Sequence, residues 1–253
     1  MKIAILSSLP YLDKLKYKTD FLKEIINLRY IDDIIIVYSN SSIFSHLKAI
    51  KNYYKGLILS PSKINNNFSE LKNEINLYDL AKQNGIKVYL FDNFYNDRCV
   101  KLLNDYSPDL IHNFSIDYIP SNLVNTWRNR ILGCHYAKLP EIRGSDTIRW
   151  SILLDYPIYI TIFFLEKRLD MGPILFTKKV EVKKGDTIFD IRKKCQEKSK
   201  EGHIQALKLY FQNEINFKEQ KLNDGRTYYR MGKHLTKMVD NILIEGRYSH
   251  YED

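Results

Sequence analysis

A chain of 253 residues can bury a substantial core and suits one domain, or one domain with a small appendage. Its longest apolar run, Tyr156 to Leu165, is too short for a bilayer, and three widely spaced cysteines (Cys99, Cys134, Cys195) argue against a disulfide framework or a zinc site. The net charge of +9 is spread over lysines in nearly every helical segment, which fits solvated faces first, phosphate-bearing substrates second and a nucleic-acid groove last.

The chain opens as Lys2 to Ser7, a short apolar strand, followed by a loop and a helical pattern from Leu12 to Leu28. Ile31 to Tyr38 is a second, β-branched strand. Asn65-Asn66-Asn67 reads as a loop, and Phe68 to Gln83 as a helix ended by Asn84-Gly85. Lys87 to Phe91 is a third strand, Asp97 to Tyr106 a helix, and Pro108 to Asn113 a fourth strand. A helix at Leu123 to Asn129, a strand at Arg130 to Cys134 and a helix at Asp146 to Leu154 continue the alternation. Strands and helices alternating at this spacing imply a doubly wound, mostly parallel α/β sheet of Rossmann type. From Ile158 the pattern changes to two strands, Ile158 to Glu166 and Gly172 to Val182, which are expected to pair antiparallel at the sheet edge. A long helix starts at Thr187, and residues 216 to 231 read as a β-hairpin turning at Asn223-Asp224-Gly225. The expected organisation is a domain over residues 1–182 and an appendage of helix, hairpin and tail over 183–253.

The first strand-to-helix turn, Ser7-Ser8-Leu9-Pro10, contains no glycine, so the dinucleotide fingerprint is missing from a sheet that would otherwise suit one. The chemistry concentrates in Gly133-Cys134-His135-Tyr136-Ala137-Lys138-Leu139-Pro140-Glu141-Ile142-Arg143-Gly144 and Leu169-Asp170-Met171-Gly172-Pro173-Ile174. These stretches set one histidine and one aspartate at the ends of two predicted buried strands, over one crevice of the sheet, which is the layout of an acid/base site. Cys134 neighbours His135 in a strand, so its side chain is expected on the opposite face, as a small buried residue rather than a nucleophile.

His-x-x-x-Leu-Pro-x-x-Arg-Gly, a helix carrying Trp150, and then Asp-x-Gly-Pro-Ile resemble the folate-dependent formyltransferases over about residues 105 to 182. The resemblance implies a Rossmann-like catalytic domain that moves a formyl group from 10-formyltetrahydrofolate, a co-substrate, to an amine, with no metal. It also implies a triad of Asn, His and Asp; His135 and Asp170 match, and the Asn position is Gly133. Losing an oxyanion donor typically costs about a hundred- to a thousandfold in turnover. A disabled site, a substitute donor such as Asn113, Thr161, a backbone N–H or a water, and an asparagine replaced by glycine are the open explanations at that point.

By the same resemblance, Asn113, Ile116 and Tyr118 line one wall of the folate pocket and Leu165 and Leu169 the other; Arg143, opening the loop before the Trp150 helix, would meet a phosphate or carboxylate or else stand as a surface arginine at a turn. Gly225, Tyr228, Tyr229 and Met231 match a C-terminal hairpin of the small sugar-nucleotide formyltransferases; Tyr228 and Tyr229 would either stack on a nucleotide base or pack against their own domain or a second subunit. The residues after 215 are too few for the extra barrel of the enzymes acting on initiator tRNA. The expectation is a cytoplasmic, homodimeric sugar N-formyltransferase without an export signal, working on a dTDP-4-amino-4,6-dideoxyhexose for a bacterial surface polysaccharide such as O-antigen. A formyltransferase for glycinamide ribonucleotide and a non-catalytic homologue binding folate or nucleotide sugar are the alternatives.

Overall fold

The computed structural model describes residues 1–8, 15–40, 75–115 and 117–252. The chain divides into two compact units, Met1–Pro120 and Ser121–Asp253.

In the first unit, strands β1 (Lys2–Ser8), β2 (Asp33–Ser39), β3 (Lys87–Phe91) and β4 (Leu110–Asn113) run parallel, with β1 between β2 and β4 and β3 beside β2. Both β1 and β2 are buried at every position after the first, as strands covered on both faces are. Helix α1 (Lys16–Ile25) supplies Phe21, Leu22 and Ile25 to the core. Helix α2 (Leu77–Gln83) starts after Asn76, whose side-chain oxygen accepts from Asp79 N at 2.8 Å. Helix α3 (Asp97–Tyr106) is capped in the same way by Asn96. The parts of the expected elements at 12–14 and 65–74 lie outside the described residues.

The second unit carries the site. Helix α4 (Ser121–Thr126) leads into β5 (Ile131–His135), and β5, β7 (Tyr159–Phe164) and β8 (Ile174–Lys179) pair antiparallel with β7 in the middle. The antiparallel pair expected from Ile158 onward is therefore present. Helix α5 (Thr147–Leu153) precedes β7, and the long helix α6 (Ile188–Phe211) begins with a capping box between Thr187 and Asp190. Because α6 packs on β5, β7 and β8, the boundary expected at 182 falls inside this unit. The strands and helices of the two units are those of the mixed α/β, Rossmann-like class expected from the sequence.

Two local expectations are corrected. The segment 216–231 is not a hairpin: β9 (Arg226–Tyr228) pairs parallel with β6 (Ile142–Gly144), and Lys218 bridges antiparallel to Ile174. The Asp-Gly turn does form, with Lys221 N donating to Asp224 Oδ2 at 3.2 Å, but its arms find different partners, since Arg226 N donates to Glu141 O at 3.0 Å. The expected tail also contains helix α7 (Lys233–Ile244), which packs on α5 and buries Val239 and Leu243, four residues apart on one face.

The pairing of β6 with β9 depends on Gly144. Its φ is +98°, and a Cβ there would lie 2.0 Å from Tyr228 O, an impossible approach to main chain that cannot easily yield. Gly144→Ala is expected to cost about 2–4 kcal/mol of unfolding free energy in urea titrations. Gly246→Ala, at φ +66° with open space around it, is expected to cost about 1 kcal/mol.

Candidate active site

The side-chain alternation of β5 separates its residues into two environments. Cys134 turns toward α6, where Ser199 lies within hydrogen-bonding reach, and burial pushes the thiol up to about 12. Gly133 and His135 share the other face, in register with Phe163 and Thr161 of β7.

His135 is buried, and its Nε2 lies 2.9 Å from the carbonyl oxygen of Ile142. A carbonyl only accepts, so Nε2 carries a proton, and in the neutral ring Nδ1 holds the lone pair. Nδ1 faces Asp170 Oδ1 at 3.5 Å, with both side chains about nine-tenths buried. That separation is too long for a short hydrogen bond, and the contact is an ion pair only when the ring is protonated. The second carboxylate oxygen, Oδ2, accepts from Gly144 N at 2.8 Å. Asp170 itself sits in the left-handed region, φ +55°, which aspartate tolerates better than most residues.

A glutamine far along the chain holds the same turn. Gln220 Nε2 donates to Asp170 O at 3.0 Å and to Gly172 O at 2.7 Å, while its Oε1 accepts from Arg143 Nε at 3.2 Å and Nη2 at 3.0 Å. Arg143 is thus 2 % exposed, and Nη2 also reaches Lys221 O at 3.4 Å. Burial pulls its guanidinium down from the ordinary value, and Asp224 and Asp170 oppose that shift. Thr161 is engaged as well: its hydroxyl donates to Ala137 O at 2.6 Å and accepts from Leu139 N at 3.0 Å, fixing the loop before the cis Leu139-Pro140 bond.

Beside Gly133 the space is occupied. A Cβ built there would lie 2.6 Å from Leu165 Cδ2 and 3.2 Å from Phe163 Cε1. Leu165 packs against a small apolar cluster of Leu139, Phe163 and Ile174. A larger residue at 133 therefore requires Leu165 to swing aside. Among the described residues, no group of three or more His, Cys, Asp or Glu is arranged to hold a metal ion, and no helix is long and apolar enough to cross a membrane.

Residues 33–207, more than half of the chain, match the family described as formyl transferase. The chain belongs to the formyl transferase family. It is 31% identical over 180 residues to the methionyl-tRNA formyltransferase of Borreliella afzelii, covering 69% of this chain and 56% of that protein. The chain spans about half the length of several curated relatives it matches, 44–48% of each. In fold it is similar to the formyltransferase PseJ from Anoxybacillus kamchatkensis, solved in complex with UDP-4,6-dideoxy-4-formamido-L-AltNAc and tetrahydrofolate. That match has a TM-score of 0.56 and 17% identity, and covers 99% of this chain and 95% of that one. Phosphoribosylglycinamide formyltransferase from Anaplasma phagocytophilum is similar too, with a TM-score of 0.60, 14% identity and coverage of 91% and 99%.

The other residues singled out in the sequence are distributed as follows. Asn113 ends β4 in the first unit, its Oδ1 accepting from Ser115 N at 3.1 Å, and Tyr118 is half exposed and stacks on Tyr95 at 6.0 Å. Ile116 lies outside the described residues. In the second unit Leu169 is 66% exposed on the turn that carries Asp170. The Tyr228 ring lies 4.9 Å from that of Trp150, whereas Tyr229 is 80% exposed and its carbonyl accepts from Trp150 Nε1 at 2.8 Å. Sequence reasoning missed Gln220, because an uncharged polar residue 50 positions after Asp170 in an irregular segment carries no periodic or motif signal.

Two outcomes follow from this geometry. The side chain added by Gly133→Asn competes with Leu165 for one space that Leu165→Ala vacates, so the double variant is expected to exceed the stability predicted from the sum of the singles by about 1–2 kcal/mol in a urea-denaturation cycle. Iodoacetamide at pH 8 is expected to leave Cys134 unmodified in the folded protein and to label it in urea, as mass spectrometry of tryptic peptides would report.

Proposed function

We propose that this protein is an N-formyltransferase acting on the amine of a nucleotide-linked amino sugar, with a dTDP-4-amino-4,6-dideoxyhexose as the acceptor. The observation that carries this reading is the buried pair of His135 Nδ1 and Asp170 Oδ1 at 3.5 Å, with the opposite ring nitrogen tied to Ile142 O. Membership of the formyl transferase family supports it, as does the fold likeness to PseJ over nearly the whole chain. The net charge of +9 suits a pyrophosphate-bearing acceptor.

The co-substrate in this reading is 10-formyltetrahydrofolate, which supplies a formyl group on a nitrogen able to leave. Leu139, Phe163 and Ile174 are buried, which leaves the partly buried Leu165 and the exposed Leu169 as apolar surface for a flat ring, and these two fit it. The assignment of Asn113, Ile116 and Tyr118 to donor binding rests on the resemblance. Arg143, with Nε and Nη2 committed to Gln220, supports the site from behind.

The reaction removes one proton from the attacking amine and returns one to the departing nitrogen. Ile142 O keeps Nε2 protonated, so His135 accepts the proton at Nδ1. Asp170, fixed by the Gly144 N–H, faces the resulting imidazolium without having to move. The cluster around Leu165 keeps water from the same face of β5.

One observation favours a second reading, a homologue that binds folate or nucleotide sugar without turnover: Leu165 fills the space beside Gly133 that an amide side chain would need. Incubation with 10-formyltetrahydrofolate and a panel of nucleotide-linked amino sugars and glycinamide ribonucleotide, following tetrahydrofolate release, separates the readings. Turnover of an amino sugar that falls by at least about a hundredfold in His135→Ala and Asp170→Asn is expected. Turnover of glycinamide ribonucleotide alone would replace the acceptor, and ligand binding without turnover of any acceptor would favour the second reading.

A further inference from the structure

We propose that Gln220 is a positioning residue for the proton-moving pair, so that the segment after α6 is a working part of the site. This inference rests on the formyltransferase reading of His135 and Asp170.

Asp170 occupies a left-handed backbone conformation at φ +55°, in a turn whose carbonyls at 170 and 172 point toward Gln220. The amide donates to both carbonyls, at 3.0 and 2.7 Å. Its orientation is determined by chemistry: the opposite end faces Arg143 Nε and Nη2, which only donate, so that end is the oxygen. Arg143 therefore fixes the amide, and the amide pins the main chain on either side of Asp170. A carboxylate anchored in this way has one direction left, with Oδ2 on Gly144 N and Oδ1 toward His135. The lysine two residues earlier, Lys218, ties the same segment to Ile174 by a two-way backbone bridge of 2.8 Å. The segment 218–220 thus grips the turn at both ends, and without the amide the turn keeps the bridge at its far side, Met171 N on Arg168 O at 3.3 Å and Gly144 N on Asp170 Oδ2 at 2.8 Å.

Two variants separate this role from simple stability. Gln220→Ala removes both functions of the amide, whereas Gln220→Glu keeps the acceptor for Arg143 and sets an oxygen against the carbonyls of Asp170 and Gly172. Both are expected to lower kcat by about ten- to a hundredfold, with KM for the formyl donor within about twofold. The ring ¹⁵N signals of His135 report the same geometry without turnover, and in both variants they are expected to move toward those of Asp170→Asn. An active Gln220→Glu with unmoved ¹⁵N signals would overturn the proposal. If the unmodified protein turns over no acceptor, the formyltransferase reading fails separately, and the ¹⁵N signals alone decide: shifted signals uphold the coupling of Gln220 to His135, and unshifted ones end it.

Discussion

The Asp170 carboxylate is the constraint on which the second unit's chemistry depends. One oxygen is held by the main-chain N–H of Gly144, the other looks at His135, and the residue's own main chain is clamped by Gln220. A buried carboxylate must be compensated, and here a single backbone donor and a nearby ring share that task. The consequence is geometric: the end of β5, the strand β6 and the turn before β8 cannot shift independently. A histidine whose far nitrogen is already tied to Ile142 O then presents one nitrogen, in one direction.

The surroundings of Gly133 have a plain steric consequence. A Cβ at that position would lie 2.6 Å from a Leu165 methyl, and Leu165 there continues the apolar cluster of Leu139, Phe163 and Ile174. Thr161, on the neighbouring strand, is committed as well, because its hydroxyl already spans Ala137 and Leu139.

The segment beyond α6 is tied to the rest of the unit at several points. Lys218 pairs with Ile174, Gln220 with the Asp170 turn, Arg226–Tyr228 with β6, and Trp150 Nε1 with Tyr229 O. The further strap at 248–252 closes on the other side, with Tyr248 OH donating to Tyr156 O at 2.7 Å and Glu252 N to Val182 O at 2.8 Å. Of the two tyrosines considered for base stacking, Tyr228 is packed against Trp150 and Tyr229 presents its ring to solvent.

By itself the sequence determined what local patterns encode: alternating strands and helices, the antiparallel switch after Ile158, the cap at Thr187, His135 at a strand end and the turn at Asp170. The opposite facing of Cys134 was equally legible, since strand alternation needs no tertiary information. Tertiary structure alone decided the pairing of β9 with β6, the commitment of Arg143 to Gln220 and the filling of the Gly133 space by Leu165. Each of these joins residues 32 to 84 positions apart, through main-chain pairing, a side-chain hydrogen bond or shared volume, and none leaves a mark on composition or periodicity. A turn signal such as Asp224-Gly225 says that the chain bends, while the partners its arms find depend on which strand edges the rest of the fold leaves open.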